Sequence, residues 1–182
     1  LIKVLSFDQS RLGVDEFLEL MSVEAVRSRF EMDDAQLESL QHLVRSLNVR
    51  WGLSEKHRDQ VSGGEQTCSN NTWLQGIQRA LKSYLLGNIP ASKVEQDFVP
   101  LSLRTRESQD LVGVLASIVD LIEDCMSVLS GKQSTMIWMN RVQAIWQQWF
   151  DLNIVDESVQ RLIDRAVDSC REQVMLTQFD QT

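Results

Sequence analysis

Apolar residues recur every three or four positions along most of the chain, which is the spacing of one face of an α-helix. In the first half this pattern predicts helices over residues 14–21, 23–30, 34–47 and 72–86. Polar residues able to cap a helix precede three of them, namely Ser22, Asp33 and either Asn71 or Thr72. The last of these helices is expected to bury Trp73, Ile77, Leu81 and Leu85.

The second half carries a longer and more regular pattern. From about residue 106 to 130, apolar positions alternate in steps of four and three, at Leu111, Leu115, Ile118, Ile122, Cys125 and Leu129. A helix over 134–152 follows, with a wide apolar face that includes Trp138, Trp146 and Trp149. Asp156 caps a last helix, reaching to near Phe179, with an expected buried row of Val159, Ile163, Ala166, Cys170 and Val174. This half is therefore predicted to form an antiparallel helical bundle.

Few residues interrupt these helices, because the chain has only two prolines and eight glycines. The predicted fold class is all-α, a multi-helix array in one helical domain over 1–182. A sub-boundary is expected near 88–105, where Pro90 and Pro100 bracket a non-helical crossing. Residues 48–71 are predicted to be a long connection, most mobile over 62–71. Since residues 1–5 resemble the last turn of a helix begun upstream, we expect an excised piece of a longer protein.

Composition narrows the class of protein. Hydrophobic residues make up 43% and charged residues 24%, the balance of a folded globular protein. A net charge of −8 excludes a strongly basic DNA-binding module. Positive charge is nevertheless concentrated between residues 45 and 82, at Arg45, Arg50, Lys56, Arg58, Arg79 and Lys82. Three widely separated cysteines fit a reducing compartment such as the bacterial cytoplasm, and no segment indicates a membrane span or export signal.

The residues offer little for catalysis. The two histidines are not spaced with cysteine or carboxylate as metal ligands require, so we expect a structural role for His42 and an exposed position for His57. Residues 130–134, Ser-Gly-Lys-Gln-Ser, are similar to the end of a phosphate-binding loop, but Met126 and Gln133 break that motif and a helix precedes it. No catalytic, cofactor-binding or metal site is predicted, and no ATP binding.

Trp51 lies between Arg50 and Gly52, in a setting where an indole can pack onto helices or stack on a nucleic-acid base. Packing is the favoured interpretation, because isolated exposed tryptophans are uncommon. The other aromatic candidates, Trp138, Trp146 and Trp149, fall on or beside an apolar helical face, so we expect them in the core.

The order of several short motifs resembles the RecC family. Residues 48–53, Asn-Val-Arg-Trp-Gly-Leu, are followed by His57-Arg58 and then by Asn71-Thr72-Trp73 with Gly76 and Arg79, at separations similar to those of that family. The segments 17–30 and 111–129 are similar to its leucine-rich flanks. The chain departs from the family at 82–87, Lys-Ser-Tyr-Leu-Leu-Gly, where an apolar leucine-glycine-tyrosine run is usual.

The resemblance implies a piece of the gamma subunit of bacterial exodeoxyribonuclease V, the RecBCD complex. It implies a helical subdomain of the 2B type, inserted in a superfamily 1 helicase-like region that has lost its ATPase motifs. The implied role is non-catalytic, in a helicase and nuclease that repairs double-strand breaks and degrades linear DNA. The implied partners are RecB, RecD and DNA within the complex, with no small-molecule substrate.

Two functions stay open from the sequence. A DNA-supporting domain is favoured by the basic cluster, with Arg50, Trp51, His57, Arg58 and Arg79 as contact candidates. A protein-interaction scaffold that docks partner subunits is favoured by the acidic second half. The DNA role requires Arg50, Arg58 and Arg79 to share one exposed surface.

Overall fold

The computed structural model describes residues 1–64, 68–86, 101, 106–131 and 133–177, with the side chains of 176 and 177 left out. Within these residues every regular element is an α-helix, which confirms the predicted all-α class. The helices are α1 (Ile2–Leu5), α2 (Val14–Met21), α3 (Glu24–Arg29), α4 (Asp34–Ser46), α5 (Glu55–Ser62), α6 (Trp73–Leu86), α7 (Arg106–Leu129), α8 (Thr135–Trp149) and α9 (Glu157–Thr177). None of them is long and apolar enough to span a bilayer.

Side-chain caps fix where several helices begin. Asp33 accepts a hydrogen bond from the Gln36 amide while the Gln36 side chain accepts one from the Asp33 amide, which is a complete capping box. Thr72 Oγ1 accepts from the Gln75 amide at the start of α6. These two predicted caps are confirmed. The prediction for Ser22 is wrong, because its hydroxyl donates to the Leu18 carbonyl at the end of α2.

Helix α7 is the centre of the core and contacts α1, α4, α6 and α8. The predicted seam is confirmed, since all six of its residues are buried: Leu111, Leu115, Ile118, Ile122, Cys125 and Leu129. Burial also raises the pKa of the Cys125 thiol to about 12. Helices from both sides of the predicted 88–105 crossing thus share one hydrophobic core, while 88–100 and 102–105 lie outside the described residues.

The buried face of α6 differs from the prediction. Leu81 is 40% exposed and Leu85 is 80% exposed, whereas the residues buried beside Trp73 and Ile77 are Gly76, Ala80 and Ser83. A Cβ added at Gly76 would lie 2.8 Å from Val49 Cγ2, so the missing side chain lets the backbone of α6 approach the segment after α4. This close approach turns the small residues inward and the leucines outward.

The predicted long connection over 48–71 is also wrong, because it contains α5. Ser54 accepts from the His57 amide at its start, and Gly63, with φ of 77°, ends it in the left-handed conformation. The buried side chains of α5 are His57 and Arg58. Since these are polar, the helix has no apolar periodicity to reveal it.

Helices α8 and α9 form an antiparallel pair, as predicted. Arg171, late in α9, donates to Asn140 and Gln143 in α8, at 2.9 and 3.0 Å. Trp146 and Trp149 are buried, and Trp138 packs against the core. The predicted buried row of α9 is largely wrong, because Val159, Ala166 and Cys170 are exposed. Helix α8 ends at Trp149, three residues before the predicted end, and the predicted end of α9 near Phe179 lies outside the described residues.

Candidate nucleic-acid interface

The burial of the two histidines is the reverse of what the sequence predicts. His57 is 2% exposed, whereas His42 lies on the exposed side of α4. The Nδ1 atom of His57 accepts a hydrogen bond from the Leu53 amide at 3.0 Å, which places the proton of the neutral ring on Nε2. The expected exposed position of His57 is therefore wrong. An imidazole is buried here because it satisfies the backbone of the turn before α5.

Burial lowers the pKa of His57 below its usual value of 6.5. The carbonyl groups of Phe7 and Ser10 and the negative charge of Asp8 oppose that effect, but burial outweighs them. The Nε2 atom is buried, and within the described residues the nearby Phe7 and Ser10 carbonyls do not meet hydrogen-bond geometry with it. The fold therefore favours the neutral ring.

Arg58 is 5% exposed and binds backbone carbonyl groups. Its Nε and Nη2 atoms donate to the Trp51 carbonyl at 3.1 and 2.7 Å, and Nη1 donates to the carbonyls of Cys68 and Asn70 at 2.6 and 2.7 Å. A planar guanidinium can serve these acceptors at once because its donors point in fixed directions. The expectation that Arg50, Arg58 and Arg79 share one exposed surface is wrong, because Arg58 is buried and joins the turn at 51 to the loop at 68–70. A DNA role therefore has to rest on other cations.

Trp51 is half-buried and lies against two cations. The guanidinium carbon of Arg58 is 4.9 Å from the ring centroid and that of the exposed Arg11 is 5.6 Å from it. These are cation–π distances, and they agree with the packing interpretation of this residue. No sequence pattern marks Arg11, which is 40 residues away from Trp51 in the chain.

The turn at Gly52 is held from several sides. Its amide donates to the Arg11 carbonyl at 2.7 Å, and its carbonyl accepts from the Trp73 amide at 3.0 Å. Gly52 has φ of 80°, and a Cβ there would lie 2.7 Å from Arg58 Cγ, so only glycine fits. The Trp73 indole donates to the Leu12 carbonyl at 2.7 Å. Motif residues that are separate in the sequence therefore form one packed unit.

Four cations lie on the elements that meet where α4 ends and α6 begins, and we call them the basic strip: Arg45 in the last turn of α4, Arg50 four residues after that helix, and Arg79 and Lys82 on α6. Arg79 donates to the carbonyl of Ser46, the last residue of α4, which places α6 beside that helix end. The Arg50 amide donates to the Asn71 carbonyl at 2.9 Å, just before α6 begins. Arg79 and Lys82 are three residues apart and so lie on one side of α6.

The side chains of the basic strip are open to solvent, except that Arg79 is half-buried. Within the described residues none of the four has a carboxylate oxygen within 4.0 Å. Of the five contact candidates from the sequence, Arg50 is exposed beside the start of α6, and Arg79 is half-buried and binds the end of α4. The structure places His57 and Arg58 in the interior and Trp51 between them and the surface.

The described residues contain no group of three histidine, cysteine or acidic side chains able to hold a metal ion. The segment that is similar to a phosphate-binding loop follows the end of α7, where Gly131 has φ of 92°, and Lys132 lies outside the described residues. Ser134 is the N-cap of α8 and accepts from the Ile137 amide. The chemistry offered by the surface is therefore positive charge at the basic strip.

Comparison with known proteins decides the family. The family model described as RecBCD enzyme subunit RecC fourth domain matches residues 1–182. The chain belongs to the RecC family. A RecC subunit of Buchnera aphidicola is 26% identical over 159 residues, which cover 87% of this chain and 14% of that protein.

Other RecC subunits give similar matches. The RecC subunit of Escherichia coli K12 is 24% identical over 165 residues, covering 90% of this chain and 14% of that protein. That of Mycobacterium tuberculosis CDC 1551 is 26% identical over 138 residues, covering 76% of this chain and 12% of that protein. The chain thus spans about one seventh of the length of these relatives.

Proposed function

We propose that this RecC domain is a non-catalytic structural part of the RecBCD complex that supports DNA through the basic strip. The observation that carries the proposal is the placement of Arg45, Arg50, Arg79 and Lys82 around one helix junction without carboxylate partners in the described residues. In this account the domain acts beside RecB and RecD in the bacterial cytoplasm. The complex then repairs double-strand breaks and degrades linear DNA.

We expect these contacts to be made to DNA phosphates. Surface arginine and lysine side chains that do not belong to a recognition helix in a DNA groove bind the DNA backbone and do not read the bases. A net charge of −8 opposes binding by the domain alone. We therefore infer that the strip adds to contacts made elsewhere in the complex. The 2B-type placement of the domain is part of the same proposal.

The interior arginine has a supporting role in this account. Arg58 fixes the turn at 51–53 and the loop at 68–70, and these lie directly next to Arg50 and to the start of α6. A phosphate-binding side chain on a rigid turn loses less conformational entropy on binding than one on a mobile loop. Arg58 is thus a positioning residue for the strip.

The test is to replace Arg45, Arg50 and Lys82 together by alanine in the complete complex and to measure affinity for a DNA end at several salt concentrations. Arg79 is left in place because it binds the end of α4. Each lost phosphate contact removes about 0.7 to 0.9 from the slope of log affinity against log salt, so three contacts remove roughly 2 to 3. The control replaces Arg29, Arg161 and Arg165, which changes the net charge equally on other exposed surfaces.

A scaffold that docks other subunits is the second candidate function. The specific observation in its favour is the set of large apolar side chains left in solvent on α6 and α9, namely Tyr84, Leu85, Leu162 and Met175. If the triple substitution leaves both affinity and salt slope unchanged in a folded complex, the DNA role is wrong and the scaffold role remains.

A further inference from the structure

Helix α9 carries a wide apolar surface, and within the described residues only one part of it is buried. The inner face packs on α8 through Ile163, Val167 and Val174, of which Val167 is 7% exposed. A second row, which we call the outer face of α9, consists of Val159, Leu162, Ala166 and Cys170. All four of its residues are exposed, Leu162 by 70%.

The outer face is continuous and uncharged. Steps of three and four residues keep its members on one side of a helix, and the row from 159 to 170 runs for about 17 Å at 1.5 Å per residue. Arg165, Ser169 and Gln173 border the row, while other charged residues lie toward the other side of the helix, at Arg161, Asp164 and Asp168. Such a face suits an apolar helix and offers nothing to a phosphate backbone.

The matched relatives are much longer than this chain, so further polypeptide is available to cover the outer face. The matching model is the fourth domain of RecC, and the matched regions make up only 12 to 14% of the relatives. Most of a RecC subunit therefore lies outside these 182 residues, joined to the same polypeptide and hence present at high effective concentration.

We propose that the outer face of α9 is an interface between domains, covered by an apolar helix of another domain of the same RecC polypeptide. This inference rests on the proposed function in one respect, that the chain serves as a structural domain of a RecC subunit. Helix α9 then packs on two sides, against α8 and against its covering helix. Its wide apolar surface, which α8 alone leaves in solvent, is explained by that second contact.

The three cysteines provide the test, because they differ in position. Cys170 lies on the outer face, Cys68 is exposed elsewhere, and Cys125 is buried in the core. The full-length RecC polypeptide is treated with iodoacetamide, folded and in urea, and alkylation of each cysteine is followed by peptide mass spectrometry. Cys170 is expected to react at least about tenfold more slowly in the folded polypeptide than in the unfolded one, before any other subunit is added.

Two variants distinguish protection of Cys170 by a covering helix from protection by other causes. Leu162→Glu places a charge on the outer face and is expected to return the Cys170 rate to near its unfolded value, while Cys125 stays protected and reports an intact core. Met175→Glu is the matched control, since Met175 is 69% exposed, on another side of α9, and it is expected to leave Cys170 protected.

Three results would overturn the inference. In the first, Cys170 reacts in the folded polypeptide as fast as in urea, which means that nothing covers it. In the second, Cys170 is protected only after another subunit is added, which means that the partner is that subunit. In the third, the protection of Cys170 falls on dilution, which means that the partner is a second copy of the polypeptide. The salt-slope experiment on the basic strip is independent of all three. Failure of the DNA proposal and failure of this interface are therefore distinguishable.

Discussion

The guanidinium of Arg58 donates two hydrogen bonds to the carbonyl of Trp51 while its carbon atom lies 4.9 Å from the centre of the Trp51 ring. One buried side chain thus holds both the backbone and the indole of the same residue. The remaining Nη1 bonds to Cys68 and Asn70 extend this hold to a loop beyond the end of α5. The conformation of the turn at 51 and of the loop at 68–70 therefore depends on a cation in the interior.

Replacing Arg58 by alanine is expected to destabilise the domain by about 2–4 kcal/mol, because three backbone carbonyls lose a charged donor and a cavity remains. Arg58→Lys is expected to recover only part of this loss, since an ammonium group lacks the planar fork. Urea unfolding followed by circular dichroism measures both. The control is Arg50→Ala, an exposed change expected within about 0.5 kcal/mol of wild type. A similarly small effect at Arg58 would contradict its interior role.

Stability is expected to fall as the pH drops below about 6.5. The folded state lowers the pKa of His57, so the unfolded chain takes up the proton first. The stabilisation from the neutral ring is fully present above 6.5 and is lost as the pH falls from 6.5 toward the lowered pKa. Unfolding free energies at about pH 7.5 and about pH 5.5, on either side of the usual histidine pKa, measure the change.

Variants assign this pH dependence to one ring. His57→Asn keeps an acceptor for the Leu53 amide but cannot titrate, so its stability should vary less between the two pH values than that of wild type. His42→Asn changes the exposed histidine and should retain the wild-type decline. A decline that is equal in both variants would show that His57 is not its source.

Two helical glycines should respond to alanine in opposite directions. A Cβ at Gly76 would meet Val49 at 2.8 Å and Leu47 at 3.3 Å, so Gly76→Ala is expected to cost about 1–3 kcal/mol despite the better helix propensity of alanine. Gly113 lies in α7, where a Cβ would have no neighbouring atom within 4 Å, and Gly113→Ala should stabilise by about 0.5–1 kcal/mol. Thermal unfolding compares them, and a stabilised Gly76→Ala would refute the close contact.

The sequence predicts this fold best where burial is apolar and complete. The buried positions of α7 could be predicted because several helices pack around it, so every position of its four-and-three repeat is an apolar residue. Helix α5 could not be predicted from the sequence, because its buried residues are His57 and Arg58. Histidine and arginine are seldom fully buried in proteins. The exposed leucines of α6 follow from the contact at Gly76, a tertiary event with no local signal.

The same limit applies to the candidate site. Clustering of cations between 45 and 82 is visible in the sequence, and it includes the exposed Arg50 and the half-buried Arg79. Which cations reach solvent depends on hydrogen bonds across 7 to 12 residues of chain, such as those of Arg58. Charge pattern alone therefore ranks Arg58 with Arg50, although only Arg50 is exposed.

Photo-crosslinking in the complete complex tests whether the basic strip lies against DNA. A benzophenone amino acid is placed at position 50 in the strip or, as a control, at position 165 on α9, and the complex is irradiated with a labelled DNA end. The account predicts a DNA adduct from position 50 that weakens with added salt, and none from position 165. Absence of an adduct at position 50 in a complex that still binds DNA would contradict it.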